Sequence, residues 1–257
     1  MKAILLLAGE GKRLRPFSEN LPKCLVKINQ KPLIDYQIEV LKSQGVSEII
    51  MVSGYCSDKL KRYHATHLVN GKYESTNMLY TLFCAKDFLE NEVIISYGDI
   101  IYSPKILKAL IQSNKDINIS VDLNWHSYWS LRNNNPLSDA ETLKYAKDFT
   151  ILEIGQKPKS TLDVQAQYMG LIKLNNTGCN IFKEEYSRLE SLFKKNHKFL
   201  ENLYLTDFLQ HIIKIGHKVT GVPVSDNWIE IDTVSDLNSP YSSIRLQEIV
   251  NDLKNEL

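Results

Sequence analysis

Two glycines and four cations crowd the segment Gly9–Lys23, GEGKRLRPFSENLPK. Lys2 stands just ahead of the apolar run Ala3–Ala8 (AILLLA) that enters it. A buried strand that ends in a glycine turn delivers backbone N–H groups and fixed cations to one point, which is the make-up of a polyphosphate site. Pro16 and Pro22 stiffen the loop between the turn and Lys23. Two commoner phosphate loops are excluded. A dinucleotide fingerprint needs a third glycine where Leu14 stands, and a P-loop needs Ser or Thr after Gly11-Lys12 and a glycine at Leu6.

Carboxylates supply the complementary chemistry. Asp99 follows Gly98 directly after the apolar segment Glu92–Tyr97 (EVIISY), and Asp232 closes the segment WIEID from Trp228. In the latter, Ile229 and Ile231 alternate to one side and Glu230 and Asp232 to the other. An acid at the carboxyl end of a buried parallel strand lies where open α/β sheets bind ligands, although strand ends also favour turn aspartates. Two hard oxygen ligands with phosphates make an Mg²⁺ site, because Mg²⁺ is held by only one or two protein carboxylates. Glu230 is either a helper there or a solvated face residue.

These residues must be positioned by alternating strands and helices. The sequence predicts strands over 3–8, 48–52, 92–97, 117–123, 149–156, 168–174, 218–224 and 228–231. A helix from Leu33 is marked by Ile34, Ile38 and Leu41 on one face and ended by Gly45. Ser103-Pro104 reads as N-cap and first position of a helix to Ser113. Two further helices are predicted over 180–195 and 204–215. The βαβα order argues for a mostly parallel mixed sheet flanked by helices, a Rossmann-like α/β fold in a single domain over 1–257. Residues 124–147 are polar, aromatic and Asn-rich, and read as an insert over the site rather than core. From Tyr241, Leu246, Ile249, Val250, Leu253 and Leu257 recur at helical spacing, which predicts a final helix that is either packed on the chain or an oligomer contact.

The whole chain narrows the function class. Its 257 residues are 43% hydrophobic, enough for a full core, and 31 Lys+Arg against 30 Asp+Glu leave a net charge of +1. That balance predicts no nucleic-acid footprint. Cys24, Cys56, Cys84 and Cys179 form no C-x-x-C pair and read as reduced thiols. No apolar run approaches the ~18 residues of a membrane span, and the first one is too short for a signal peptide and runs into the loop. The expected compartment is the cytoplasm.

The pattern G-x-G-x-R-(x)2-P-(x)5-P-K from Gly9 to Lys23 resembles the signature loop of the nucleotidyltransferases that activate sugar phosphates and phosphorylated alcohols with an NTP. This resemblance implies that Leu7, Ala8, Gly9 and Gly11 surround the nucleotide, that Arg13 and Lys23 act on its triphosphate, and that Asp99 and Asp232 hold Mg²⁺. Lys157, in Gln156-Lys157-Pro158, resembles the lysine that grips the second substrate's phosphate, with Glu153 nearby. Glu74–Leu82 (ESTNMLYTL) resembles a segment of the choline-phosphate cytidylyltransferase branch that lies against the pyrimidine and ribose, and implies a base contact for Asn77. Asp122 with Trp125, Asp139–Glu141 and Gln167–Gly170 (QYMG) are similar to the same branch, whose enzymes act on phosphocholine, aminoethylphosphonate or phosphoglutamine. Leu7, in place of the usual alanine, and Ser18, in place of threonine, depart from the pattern.

The expected function is therefore CMP transfer from CTP to a small phosphorylated or phosphonylated amine or amide, with pyrophosphate release, for decoration of cell-surface polysaccharide. The acceptor side would use Asp122, Trp125, Arg132, Glu141 and Tyr168. Trp125, Tyr128 and Trp129 offer faces for an ammonium, or are the apolar underside of a lid. Arg132 offers a fork for an acceptor carboxylate, or is a solvated loop residue. A hexose-1-phosphate nucleotidyltransferase is the alternative.

Overall fold

The apolar run that precedes the glycine turn forms β1 (Lys2–Leu7), the strand on which the architecture is built. A computed structural model of the chain describes residues 1–194 and 196–256. Ala3, Leu5 and Leu7 enter the apolar cluster on one face of β1, and Ile4 and Leu6 the cluster on the other. A strand covered on both faces reads as an unbroken apolar run, not an alternating one.

After the loop, β2 (Lys27–Ile28) and β3 (Lys31–Pro32) form a small hairpin, followed by α1 (Leu33–Ser43). Gly45 ends that helix at φ 76°, a conformation open to glycine without steric cost. Then come β4 (Glu48–Ser53), β5 (Thr66–Val69), α2 (Met78–Phe83), β6 (Val93–Tyr97), β7 (Ile100–Tyr102), α3 (Pro104–Gln112) and β8 (Ile117–Asp122). The second half holds α4 (Trp125–Arg132), β9 (Leu143–Tyr145), β10 (Ile151–Ile154), β11 (Gln167–Leu174), α5 (Asn176–Leu192), α6 (His197–Glu201), α7 (Leu205–Lys214), β12 (Thr220–Val224), β13 (Trp228–Glu230), α8 (Val234–Asn238) and α9 (Pro240–Glu256).

The seven-stranded central sheet has the order β12-β8-β11-β6-β1-β4-β5. β11 runs antiparallel to both of its neighbours, and all other pairings are parallel. Helices cover both faces, so the expected mostly parallel mixed α/β sheet is the one observed. A separate two-stranded pairing of β7 with β13 carries Asp99 and Asp232 toward each other, with Ile229 opposite Ile101.

Three expectations need correction. Residues 124–147 are not a lid outside the core: α4 buries Trp125, Tyr128 and Trp129 in the apolar cluster with Trp228 and Leu171. Three aromatic rings on one short helix bury more apolar area than a solvated lid would retain. Ser103 occupies the cap position of α3, but its hydroxyl is buried without a partner, so the helix start rests on Pro104. α5 begins at Asn176, because the Asn175 side chain accepts the Gly178 N–H at 2.9 Å, and the expected end at Lys195 lies outside the described residues.

α9 settles against its own chain. Leu246 and Ile249 are buried with Leu14, Val26, Ile28, Ile229 and Ile231, beneath the glycine loop, while Leu253 joins the cluster of α1 and α3. Leu257, the last member of the predicted stripe, lies outside the described residues. Each fully buried aliphatic side chain contributes about 1.5–3 kcal/mol relative to exposure, so Leu246, Ile249 and Leu253 are satisfied within the chain.

Candidate active site

The sheet reverses direction of travel at β1. The chain leaves β1 for β4 and β5 on one side and returns to β6 on the other, and a crevice opens outside the carboxyl ends of strands at such a point. Here it is a small cleft lined by Leu6, Leu7, Gly9, Lys23, Cys24, Met78, Gly98 and Asp99. Gly98 is required by packing, since a Cβ there would lie 2.6 Å from Leu7 Cδ2 and 3.0 Å from the Leu6 carbonyl oxygen. Gly11 is required by conformation: its φ is 64°, and a Cβ would lie 3.0 Å from Lys23 Cβ. Ser18 Oγ donates to the Gly11 carbonyl at 2.6 Å and buried Leu14 pins the far side of the turn, so the loop is held at both ends.

The charged groups meet in one chain. Lys23 Nζ lies 2.6 Å from Asp99 Oδ2 and 2.6 Å from Asp232 Oδ1, and Arg13 Nη2 donates to Asp232 Oδ2. Lys12 and Arg15 instead lie 3.3 and 3.4 Å from Glu10. Two cations thus neutralise two carboxylates at the mouth of the cleft. Asp99 is only 8% exposed, and its Oδ1 is buried without a hydrogen-bond partner. A buried carboxylate oxygen with no donor is an acceptor left for a cation. The Ile231 N–H donates to the Asp99 carbonyl at 2.9 Å, so the two acids are tied through the backbone as well.

Beside this cluster stands a group of two tyrosines and two acids. Tyr97 and Tyr168 pack edge to face at 5.9 Å between ring centres, and the Tyr168 hydroxyl is buried without a partner. Burial pushes the Glu141 carboxyl above the usual range, and the charges of Asp207, Asp139 and Glu230 add to the effect, while Thr206 Oγ1 at 3.5 Å opposes it. Glu230 is raised by burial too, against the pull of Arg132. The negative charges of Glu141, Asp99 and Glu230 all bear on the Tyr97 hydroxyl, whose ionisation burial alone already suppresses. Acids held in this way gain from an arriving ammonium group.

Residues 3–129 match the MobA-like NTP transferase domain. A CTP:phosphoglutamine cytidylyltransferase of Campylobacter jejuni is 41% identical over 248 residues, which cover 92% of this chain and 98% of that protein. The chain belongs to the nucleotidyltransferase family, in its choline-phosphate cytidylyltransferase branch. The choline-phosphate cytidylyltransferase of Streptococcus pneumoniae is 44% identical over 117 residues, 44% of this chain and 51% of that protein. The solved structure of the CTP:phosphocholine cytidylyltransferase of that species superposes on this nucleotidyltransferase with a TM-score of 0.67 at 25% identity, covering 97% of this chain and 98% of that one.

Of the residues singled out in the sequence, the nucleotidyltransferase fold brings Leu7, Gly9, Lys23 and Asp99 to the cleft, with Arg13 and Asp232 at its mouth and Gly11 against Lys23. Ala8 is buried beside them, its carbonyl accepting from the Tyr55 N–H at 3.2 Å. Glu141 and Tyr168 stand together beside it, the charge of the one suppressing ionisation of the other. Four others are committed elsewhere. Asp122 is fully buried and accepts from Trp228 Nε1 at 2.9 Å, which makes it a core hydrogen-bond partner and not a free anion for an acceptor. Trp125 is buried with its indole N–H on the Val164 carbonyl at 3.1 Å, and presents no face to the site. Asn77 occupies the N-cap position of α2 and one amide N–H donates to the Asn202 carbonyl at 2.6 Å, which ties the side chain to the segment after α6. Arg132 is buried between Glu230, at 2.5 Å, and Asp236, at 2.9 Å, and is not open to an acceptor carboxylate. Lys157 is exposed and donates to the carbonyls of Leu137 and Ser138 at 3.0 and 2.6 Å.

Sequence reasoning missed Tyr97 and Asp236. Tyr97 ends an apolar strand and gives no signal beyond its place two residues before Asp99. Asp236 does give one: Thr233-Val-Ser-Asp236 has the spacing of a capping box, and that box forms. Among the described residues no group of three or more His, Cys, Asp or Glu side chains could hold a metal ion. The paired acids Asp99 and Asp232 match the one or two carboxylates that Mg²⁺ takes.

Proposed function

We propose that this nucleotidyltransferase transfers CMP from CTP to a small phosphorylated or phosphonylated amine or amide, phosphoglutamine first among them, and releases pyrophosphate. One juxtaposition carries this reading: the cation–carboxylate chain of Arg13, Asp232, Lys23 and Asp99 adjoins the acidic and aromatic group of Tyr97, Tyr168, Glu141 and Glu230. The first suits a triphosphate with its metal, and the second suits an ammonium. The preference for CTP and for phosphoglutamine is supported by the Campylobacter jejuni relative, and no longer by Arg132 or Asn77.

A phosphate monoester carries about −1.5 to −2 charges at pH 7, so the attacking oxygen needs no general base. The task is to bring two mutually repelling anions into line at the α-phosphorus and to neutralise the charge that develops. Arg13 would exchange Asp232 for two phosphate oxygens, which its planar fork can hold at once. Lys23 would leave the carboxylates for the triphosphate in the same exchange. Asp99 and Asp232, released from both, would hold Mg²⁺, which bound there supplies charge neutralisation on the phosphate oxygens. Lys157 would give up two carbonyls for the acceptor phosphate. Glu141 would take the acceptor ammonium against the faces of Tyr97 and Tyr168. The activated product suits decoration of cell-surface polysaccharide.

The test is pyrophosphate release with CTP, UTP, ATP and GTP, each against phosphoglutamine, phosphocholine, aminoethylphosphonate and glucose 1-phosphate. CTP with an amine or amide acceptor is the expected best pair. A preference for UTP with glucose 1-phosphate would replace the proposal with an NDP-sugar synthase.

A further inference from the structure

The buried guanidinium of Arg132 has no place in the chemistry above, yet it sits beneath the acids at the mouth of the cleft. Its side chain is 8% exposed and that of Asp236 5%. Arg132 Nε donates to Asp236 Oδ1 at 2.9 Å and Nη2 to Asp236 Oδ2 at 3.3 Å, while Nη1 reaches Glu230 Oε2 at 2.5 Å. The same Asp236 Oδ2 accepts the backbone N–H of Asp232 at 3.1 Å, the N–H of Thr233 at 2.8 Å and the Thr233 hydroxyl at 2.9 Å. Glu230, two residues ahead of Asp232, is fixed at its own N–H by the Tyr128 hydroxyl at 2.9 Å. The segment Glu230–Thr233 is therefore gripped from below at three backbone N–H groups, all through Arg132, its neighbour Tyr128 on α4, or the carboxylate that Arg132 holds.

We infer that Arg132 and Asp236 are positioning residues for Asp232, setting the backbone from which that acid meets the metal–nucleotide complex. The fork of the guanidinium is what the geometry needs. One plane serves two carboxylates 104 and 98 positions away in sequence, Asp236 through Nε and Nη2 and Glu230 through Nη1. A lysine ammonium at that site keeps the charge but cannot bridge both in fixed directions. Outer partners of a metal ligand act in this way in general, and their loss costs about 10–100-fold in metal affinity. The inference rests on the proposed CTP reaction and on Asp232 as a metal ligand.

The experiment is Mn²⁺ titration in the presence of CTP, followed by electron paramagnetic resonance, on wild type, Arg132→Lys, Asp236→Asn and the core variant Leu110→Ala, with thermal melting and acceptor KM measured on each. Arg132→Lys and Asp236→Asn are expected to weaken Mn²⁺ binding about tenfold or more, with acceptor KM changed less than the metal affinity. Leu110→Ala, which empties a buried apolar position on α3, is expected to melt earlier and bind Mn²⁺ like wild type. Should Arg132→Lys fail to fold, Asp236→Asn carries the comparison. Wild-type Mn²⁺ affinity in both folded variants overturns the inference, as does a rise in acceptor KM with metal affinity intact, which would return Arg132 to acceptor binding. If wild type itself binds no Mn²⁺ with CTP but does with another NTP, the nucleotide assignment fails, and the same variants compared with that NTP decide the role of Arg132.

Discussion

Replacing Lys23 by Met removes a nitrogen that touches both acids. Both Asp99 Oδ2 and Asp232 Oδ1 lie 2.6 Å from Nζ, so the two oxygens are at most twice that, 5.2 Å, apart. Two unit charges at about 5 Å repel by about 3 kcal/mol at an effective dielectric near 20. Asp99 and Asp232 are 11% and 15% exposed at the side chain, so water screens this only in part. Arg13 still meets Asp232 and offsets a share, which leaves a loss of about 2–3 kcal/mol for the ligand-free protein. At about 2–4 °C per kcal/mol for a chain of this size, melting should fall by about 4–12 °C. A divalent cation between the bared acids opposes that loss, because a ligand that binds only the folded state stabilises it by mass action. The assay is a thermal melt of wild type and Lys23→Met with and without millimolar Mg²⁺, with no nucleotide present. The variant should recover with Mg²⁺ while wild type, whose acids are already neutralised, changes little. An unchanged melting temperature in the variant, or an equal response to Mg²⁺ in both proteins, would refute the idea that Lys23 neutralises a pair of metal-competent acids.

Arg13→Lys should lose far more turnover than Lys12→Ala, because Arg13 lies on Asp232 while Lys12 and Arg15 lie on Glu10; equal small losses would make the loop a generic basic surface. Gly11→Ala should destabilise by about 1–2 kcal/mol for its left-handed conformation and raise KM for CTP through the displaced Lys23, and an unaltered KM would uncouple that glycine from the site. Glu141 has a raised carboxyl pKa, so its charge is lost at a higher pH than an ordinary glutamate as pH falls. KM for an amine acceptor should therefore climb on the acid side above the ordinary carboxylate range, and Glu141→Gln should flatten that limb. Cys24 is pushed up to about 12 by burial. Its thiol stays neutral in the folded state while an unfolded thiol ionises, so its contribution to stability is complete below about pH 9 and falls as pH rises toward 12; urea midpoints of wild type and Cys24→Ala across that range should converge.

The strands and the loop could be read from the sequence because each carries a local signal. An unbroken apolar run marks a strand covered on both faces, and Gly11 and Gly98 mark places where a side chain has no room. Asp99 and Asp232 were legible because both follow apolar strand segments. The acceptor side was not, because buried and exposed polar residues look alike in one dimension. Asp122 and Arg132 have the composition of a binding site, but Trp228 Nε1 claims the first and Asp236 the second, from positions about a hundred residues away. The aromatic insert misled for the same reason. Trp125, Tyr128 and Trp129 suit a cation cage in isolation, and only the packing of α4 on Trp228 turns them inward.

The central claim is best tested on the product itself. Incubated with CTP, Mg²⁺ and phosphoglutamine, the protein is expected to yield a species whose phosphorus spectrum contains one new diphosphate linkage between cytidine and the acceptor, in step with pyrophosphate. A new diphosphate linkage formed only from UTP or dTTP and a hexose 1-phosphate, with none from CTP and any amine acceptor, would contradict the account.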